Sequence, residues 1–381
     1  MAAEATRHYF DHAAHSPLRP AARQAWLQAA DLVGNPAALH ASARRSRAAL
    51  EDARESIAAD LGAHPTEVVL TSGGSEADTL AVWGGVRGRA SSGRDLVVIS
   101  AVEHPAVGEL ARQWPGTLIA GVDPTGSVML DELARLVGPS TAVVSVQTVN
   151  NEVGVVQPVA EAAEIAHAAG AWFHTDAVQA LVSPGLDFSA SAADLVSVSA
   201  HKLGGPVGVG ALLVRREVAP AVTGLGGRQE RDLRSGTQSA ALAAAFAAAL
   251  HESVASREAE RVRMARLRAE LLAGLAAAGQ GEGVRVNGGE VVNPAIVHLT
   301  APGVRADDVL LLLDRVGIDA SVGSACRAGV HQPSEVVLAM TGSTQDALSS
   351  LRFSMGWSTT DDDVAALVRE LPRALARARG V

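Results

Sequence analysis

Val196-Ser197-Val198-Ser199-Ala200-His201-Lys202-Leu203-Gly204-Gly205-Pro206 is the stretch on which the reading of this chain turns. Residues 194–199 read as a buried strand, because Leu195, Val196 and Val198 are apolar and the breakers Gly204, Gly205 and Pro206 close the run. Lys202 then lies at the strand's C-terminal end. In an open α/β sheet that end is where ligands bind, and a lysine partly desolvated there can lose its proton and attack a carbonyl. A surface lysine in a loop is the ordinary alternative, and the stretch alone leaves it open.

A second strand end stands upstream. Ala171-Trp172-Phe173-His174-Thr175-Asp176-Ala177-Val178-Gln179 is an apolar strand that ends in a carboxylate with no cap or hairpin role. An aspartate and a lysine at neighbouring strand ends suggest one shared ligand. Pyridoxal phosphate needs this pair: a lysine to hold its aldehyde as a Schiff base, and an acid to keep its ring nitrogen protonated so that the ring accepts electrons.

Working outward, apolar runs at 68–71, 95–100, 117–122, 142–149, 171–176, 194–199 and 209–215 alternate with helical patterns. Seven such strands imply an α/β fold with a mostly parallel sheet covered on both faces. The helix over 159–169 shows the punctuation, with Pro158 at its start and Gly170 just past its end. Residues 1–20 are Pro-punctuated and read as an arm over the main body, and 21–61 are helical with a break at Gly34-Asn35-Pro36. Composition shifts near His251, where a charged helix over 251–279 leads into a smaller α+β unit. That unit has strands at 284–287, 295–299, 319–321 and 350–356 and a helix over 307–315. Thr360 and the acids after it read as the capped start of a last helix that Pro372 kinks or ends. No Gly-x-Gly-x-x-Gly follows a first strand, which disfavours a dinucleotide fold.

Composition narrows the class. The chain of 381 residues carries a net charge of −9, which argues against a nucleic-acid binder and suits a soluble cytoplasmic protein. No uncharged apolar run is long enough to span a bilayer, and the charged N-terminal residues Glu4, Arg7 and Asp11 do not read as a secretory signal. The longest apolar run, around 240–250, is mostly alanine and reads as a buried or dimer-facing helix. A single cysteine excludes an intramolecular disulfide and any multi-cysteine metal site. Cys326 is then either inert and buried or a nucleophile. Its surroundings, Ser321-Val322-Gly323-Ser324-Ala325-Cys326-Arg327-Ala328-Gly329, are too small to bury it well, and the adjacent Arg327 favours a thiolate.

Ser199-Ala200-His201-Lys202 and His174-Thr175-Asp176-Ala177-Val178-Gln179 together resemble the class V aminotransferase family, and within it the NifS/IscS-type cysteine desulfurases. The resemblance extends in order through Tyr9-Phe10-Asp11, Gly34-Asn35-Pro36, Thr71-Ser72-Gly73-Gly74-Ser75-Glu76, Glu103-His104 and Asn150-Asn151-Glu152-Val153-Gly154. It continues through Arg234-Ser235-Gly236-Thr237, Ser324-Ala325-Cys326 and Arg352-Phe353-Ser354-Met355-Gly356. It implies an aspartate-aminotransferase-like fold, with a large pyridoxal-phosphate domain over 15–255. Residues 1–14 and 256–381 would form a small domain that carries the cysteine loop.

What the resemblance implies for each residue differs in how far the sequence supports it. Gly74 and Ser75 follow the first strand and open a helix, where backbone N–H groups and a hydroxyl can cradle a phosphate, though Gly-Gly-Ser is also ordinary loop chemistry. Ser199 and His201 join that cofactor set. The Gly- and Arg-rich segment 224–237 reads by itself as a flexible solvated loop; the resemblance has Thr237, at its end, reach the phosphate bound by the other subunit, which implies a homodimer. His104 stacks on the ring and passes protons, while Asn151, otherwise a plausible turn residue, and Gln179 contact the phenolic oxygen. Asn35 helps to hold substrate, or is simply a turn residue before proline. Arg352, alternating away from Leu351 and Phe353, offers a bidentate guanidinium to an amino acid's carboxylate.

The implied reaction converts L-cysteine to L-alanine. Lys202 takes the Cα proton, the Cys326 thiolate attacks the substrate sulfur to form a persulfide, and the sulfur passes to an acceptor protein for iron–sulfur cluster assembly, tRNA thiolation or another thio-cofactor. Some positions depart from the commoner pattern: His15-Ser16 replaces two threonines, Gly74-Ser75 replaces Ala-Thr, Asp78-Thr79 replaces two asparagines, and Val322 replaces a serine. Rivals within the family are a selenocysteine lyase, a cysteine lyase and an aminotransferase. A catalytically silent scaffold is the rival outside enzymology, and it would be expected to lose Lys202, Asp176 or Cys326.

Overall fold

The computed structural model describes residues 7–181, 183–277, 283–323 and 332–380. In chain order the strands are β1 His8–Tyr9, β2 Val68–Thr71, β3 Leu96–Ser100, β4 Thr117–Ala120, β5 Thr141–Ser145, β6 Trp172–Asp176, β7 Leu195–Ser199, β8 Gly210–Val214, β9 Arg285–Val286, β10 Ile296–Thr300, β11 Ile318–Asp319 and β12 Ser350–Ser354. All seven strands expected for the main sheet form, in the order β2-β8-β7-β6-β5-β3-β4. Strand β8 runs antiparallel to both its neighbours and the other pairings are parallel. The link over 200–209 is too short for a crossover helix, so the chain returns as a reversed strand. The order turns back between β3 and β5, which are neighbours although β4 separates them in sequence. Ligands bind at the carboxyl ends beside such a point.

Alanine does much of the packing. In the helix Val159–Ala168 the buried residues are Ala162, Ala163 and Ala166, at the spacing that puts one helix face on the sheet. One apolar core gathers residues between Ala22 and Leu250, including Phe173, Phe188 and Phe246. Another joins Phe10 to residues between Met264 and Leu375. Phe10 lies edge-on to Phe353 at 6.5 Å, which fixes the N-terminal arm to strand β12.

Three local expectations are corrected. The alanine-rich run and the charged run after it form one continuous helix, Ala240–Ala277, which packs on the helices Pro20–Ala30 and Ala41–Asp60 and further along on Asp361–Ala378. The shift at His251 marks a change of burial along one helix. Pro372 does not end the last helix, which runs to Ala378. An interior proline costs about 3 kcal/mol, and burial of Val364, Leu367, Leu371 and Leu375 on one face offsets it. The Gly- and Arg-rich segment 224–237 is not solvated throughout. Glu230 is buried and forms a two-armed pair with Arg54 at 2.7 and 2.8 Å, and also accepts from Leu70 N. This anchor holds neighbouring residues Arg228, Arg231 and Asp232 at positive φ, a conformation that costs free energy for side chains other than glycine. Among the described residues no helix is long and apolar enough to cross a membrane.

Candidate active site

The carboxyl edge of the sheet opens into a cavity of about 300 Å³. Gly74 and Ser75 reach it from the turn after β2, His104 from beyond β3, Asn151 from beyond β5, Asp176 and Gln179 from the end of β6, and Ser199, His201 and Lys202 from the end of β7. Arg352 enters from β12, and Asp78 and Glu152 also line the wall. Residues chosen from strand ends therefore meet in one place.

Lys202 Nζ donates to the carbonyls of Ala13 (2.7 Å) and Ala14 (2.8 Å), so the N-terminal arm caps the amine. Burial, with a further push from Arg352, lowers its pKa to about 8, while Asp11 and Asp176 act the other way. A useful fraction of neutral amine is thus present near neutral pH, as a nucleophile requires. Asp176 is buried and accepts from Val178 N at 2.9 Å. Its burial raises the carboxyl's pKa, and His104 and Lys202 oppose the rise. His104 Nδ1 accepts from Ala106 N at 3.1 Å, which leaves Nε2 as the protonated nitrogen of the neutral ring.

The fork of Arg352 is aimed by two partners. Its Nη1 donates to Asn151 O at 2.8 Å, its Nη2 pairs with Asp11 Oδ1 at 2.7 Å, and Nε is buried without a partner. Gln179 Nε2 donates to Ala13 O, the carbonyl that also receives Lys202. Of the two adjacent asparagines, Asn150 makes the turn, accepting from Glu152 N and Val153 N, while Asn151 lines the cavity. His201 Nδ1 lies 2.9 Å from Ser199 Oγ and its ring stacks on His15. A Cβ at Gly74 would lie 2.9 Å from Val178 Cγ2, so this wall presents bare backbone to the cavity.

The class V aminotransferase family model matches residues 8–367. The chain belongs to the class V aminotransferase family. Its NifS/IscS-type relatives include an IscS-like cysteine desulfurase of Mycobacterium tuberculosis, 42% identical over 97% of each chain, and the cysteine desulfurase NifS of Azotobacter vinelandii, 36% identical over 91% of this chain and 87% of that one. A solved NifS-like protein superposes with a TM-score of 0.90 at 28% identity, covering 98% of this chain and all of the other.

Among the described residues, two candidates, Asn35 and Thr237, lie outside the class V cavity as one chain forms it. Asn35 is exposed and its Oδ1 accepts from Ala37 N at 2.9 Å, the local turn role. Thr237 lines a separate cavity of about 130 Å³ with Arg234 and Thr71. Cys326 falls outside the described residues, although Ser321 and Gly323, shortly before it, stand at the cavity wall. Sequence reasoning assigned no role to Asp11, Asp78, Glu103 or Glu152. Asp11, Glu103 and Glu152 lay inside quoted motifs, and Asp78 was visible only as a departure from the commoner asparagine.

Glu103 yields a testable consequence. It accepts from Ser100 Oγ and Gln147 N, yet Oε2 is buried without a partner, and burial pushes the carboxyl from 4.5 to about 8. The folded protein therefore keeps a proton that the unfolded chain releases. Stability is unaffected by this group below the lower value and falls as pH rises through the window up to the higher one. Glu103→Gln should be more stable than wild type, with a gap that widens from about pH 5 to about pH 8 and reaches a few kcal/mol. Paired denaturant titrations at the two pH values check it, and a gap independent of pH would count against the buried proton.

Proposed function

We infer that the protein is a pyridoxal-phosphate-dependent cysteine desulfurase that converts L-cysteine to L-alanine and carries the sulfur on Cys326 to an acceptor protein. The observation that carries this reading is the meeting, in one cavity, of an amine lowered to about 8, a buried carboxyl and a forked cation. The donor set fits the cofactor: Gly74, Ser75, Ser199 and His201 offer N–H and O–H groups for a phosphate, Asp176 a carboxylate for a protonated ring nitrogen, and Lys202 an amine for an aldehyde. The buried, unpartnered Asp78 Oδ1 lies on the same cavity. When bound, the cofactor supplies an electron sink for the substrate carbons.

The chain's own groups do the rest. Arg352, pre-aimed by Asp11 and Asn151, binds the substrate carboxylate and fixes which substrate bond faces Lys202. Lys202 Nζ takes the Cα proton once substrate has displaced it, and His104 Nε2 stands ready to hand protons on. The Cys326 thiolate attacks the substrate sulfur: an S–S bond forms, the Cβ–S bond breaks with its electron pair left on carbon, Cβ takes up a proton, and Cα regains the proton held by Lys202 to give alanine. Family resemblance adds a homodimer, in which Thr237 serves the partner's phosphate site, and a role for Asn35 in holding substrate.

The test is product identity. Holoenzyme given L-cysteine and a thiol reductant should release alanine and sulfide in equal amounts. A keto acid in place of alanine would move the reading to an aminotransferase or lyase, and a protein that forms no product and binds no cofactor would be a scaffold.

A further inference from the structure

Asp78 is a second carboxyl on the cavity wall that the reaction above leaves unused. It is 1% exposed, at the end of the helix Gly74–Asp78, and its Oδ1 has no hydrogen-bond partner. Single atoms of Asp78, Asp176 and His104 lie within 4.8 Å of one another. From β6, His174 Nε2 approaches Asp78 Oδ1 to 3.6 Å, but burial lowers that imidazole to about 3, so it faces the acid as a neutral ring. From β7, the Ser197 hydroxyl faces the Asp78 carboxyl and works against the rise in its pKa. Glu103 faces the pair from beyond β3, and Lys202 and His104 act on its Asp176 member. Two carboxylates this close in a dry pocket do not both ionise. Burial first and the Asp176 charge second hold Asp78 well above the ordinary carboxyl range.

We propose that Asp78 and Asp176 act as one carboxyl pair that stores, in the cofactor-free pocket, the proton that the ring nitrogen of pyridoxal phosphate takes on binding. Asp78 is the positioning residue behind Asp176, and the proposal rests on the cofactor reading above. In the step, an O–H bond of the pair breaks and the ring N–H bond forms. The pair goes from one negative charge to two while the ring gains one positive charge, so the net charge of the buried pocket is unchanged and no other reactant is needed. An asparagine at 78 cannot store that proton. With it, once Asp176 is ionised and the free ring is unprotonated, the proton must come from water.

The experiment titrates cofactor-free full-length protein with pyridoxal phosphate across neutral and alkaline pH, following the visible band and, by calorimetry in buffers of different ionisation enthalpy, the protons exchanged. Wild type, Asp78→Asn and Asp78→Ala are compared. The Kd of Asp78→Asn relative to wild type should rise by about tenfold per pH unit in the alkaline range, with up to about one more proton taken up per site. Asp78→Ala should show the same slope on top of a loss independent of pH. If Asp78→Asn tracks wild type at every pH and only Asp78→Ala is weakened, Asp78 is a packing residue and the proposal falls. If wild type binds no pyridoxal phosphate, the visible band never appears, and the cofactor reading falls with it.

Discussion

Lys202→Ala abolishes turnover of L-cysteine and the yellow colour of the cofactor-loaded protein together, with a fall in kcat of about 10⁴-fold or more. The size follows from two roles held by one atom. General acid–base transfer alone is worth about 10² to 10⁴, and on the proposed reading the same Nζ would also hold the cofactor's aldehyde. Capping by Ala13 O and Ala14 O places the amine, and burial lowers its pKa to about 8. Arginine keeps the charge but not the deprotonated amine, so Lys202→Arg should fail as fully. Absorbance and alanine release measured on one preparation decide it. A Lys202→Ala protein that keeps both would place the attachment elsewhere.

Cys326→Ala gives the second large effect and splits the same two readouts. The variant should bind the cofactor with wild-type colour and lose alanine and sulfide together, by about 10³-fold or more, because a carbon side chain supplies no attacking sulfur. The colour controls for folding and loading. Its position, soon after Ser321 and Gly323 on the cavity wall, fits a nucleophile delivered to bound substrate. Equal activity in wild type and variant would remove Cys326 from the reaction. A lyase would then lead, with selenocysteine as the next substrate to try.

The strand-end logic transferred from sequence to structure because the motifs after β2, β3, β5, β6 and β7 each end an apolar run, most of them closed by a nearby glycine or proline, so their place on the carboxyl edge needs only local information. Thr360 shows the same at a helix start, where its hydroxyl and the Asp363 carboxylate make a reciprocal cap. What stayed hidden depends on distant partners. An aspartate at 78 looks like a surface residue, and only the sheet packed beneath it reveals that it is buried beside Asp176. Arg54 and Glu230 find each other across 176 positions, with nothing local to announce the pair. Asn150 and Asn151 are chemically equal in sequence, and the backbone path alone decides which makes the turn.

Arg352 is paired with a carboxylate 341 positions before it, and Lys202 is capped by carbonyls of the same N-terminal arm. The arm is made before the main sheet, and its partner strand β12 only after it. A growing chain can build the main sheet around Lys202 well before Arg352 exists. On the proposed reading, cofactor captured at that stage would meet an amine without its finished carboxylate clamp.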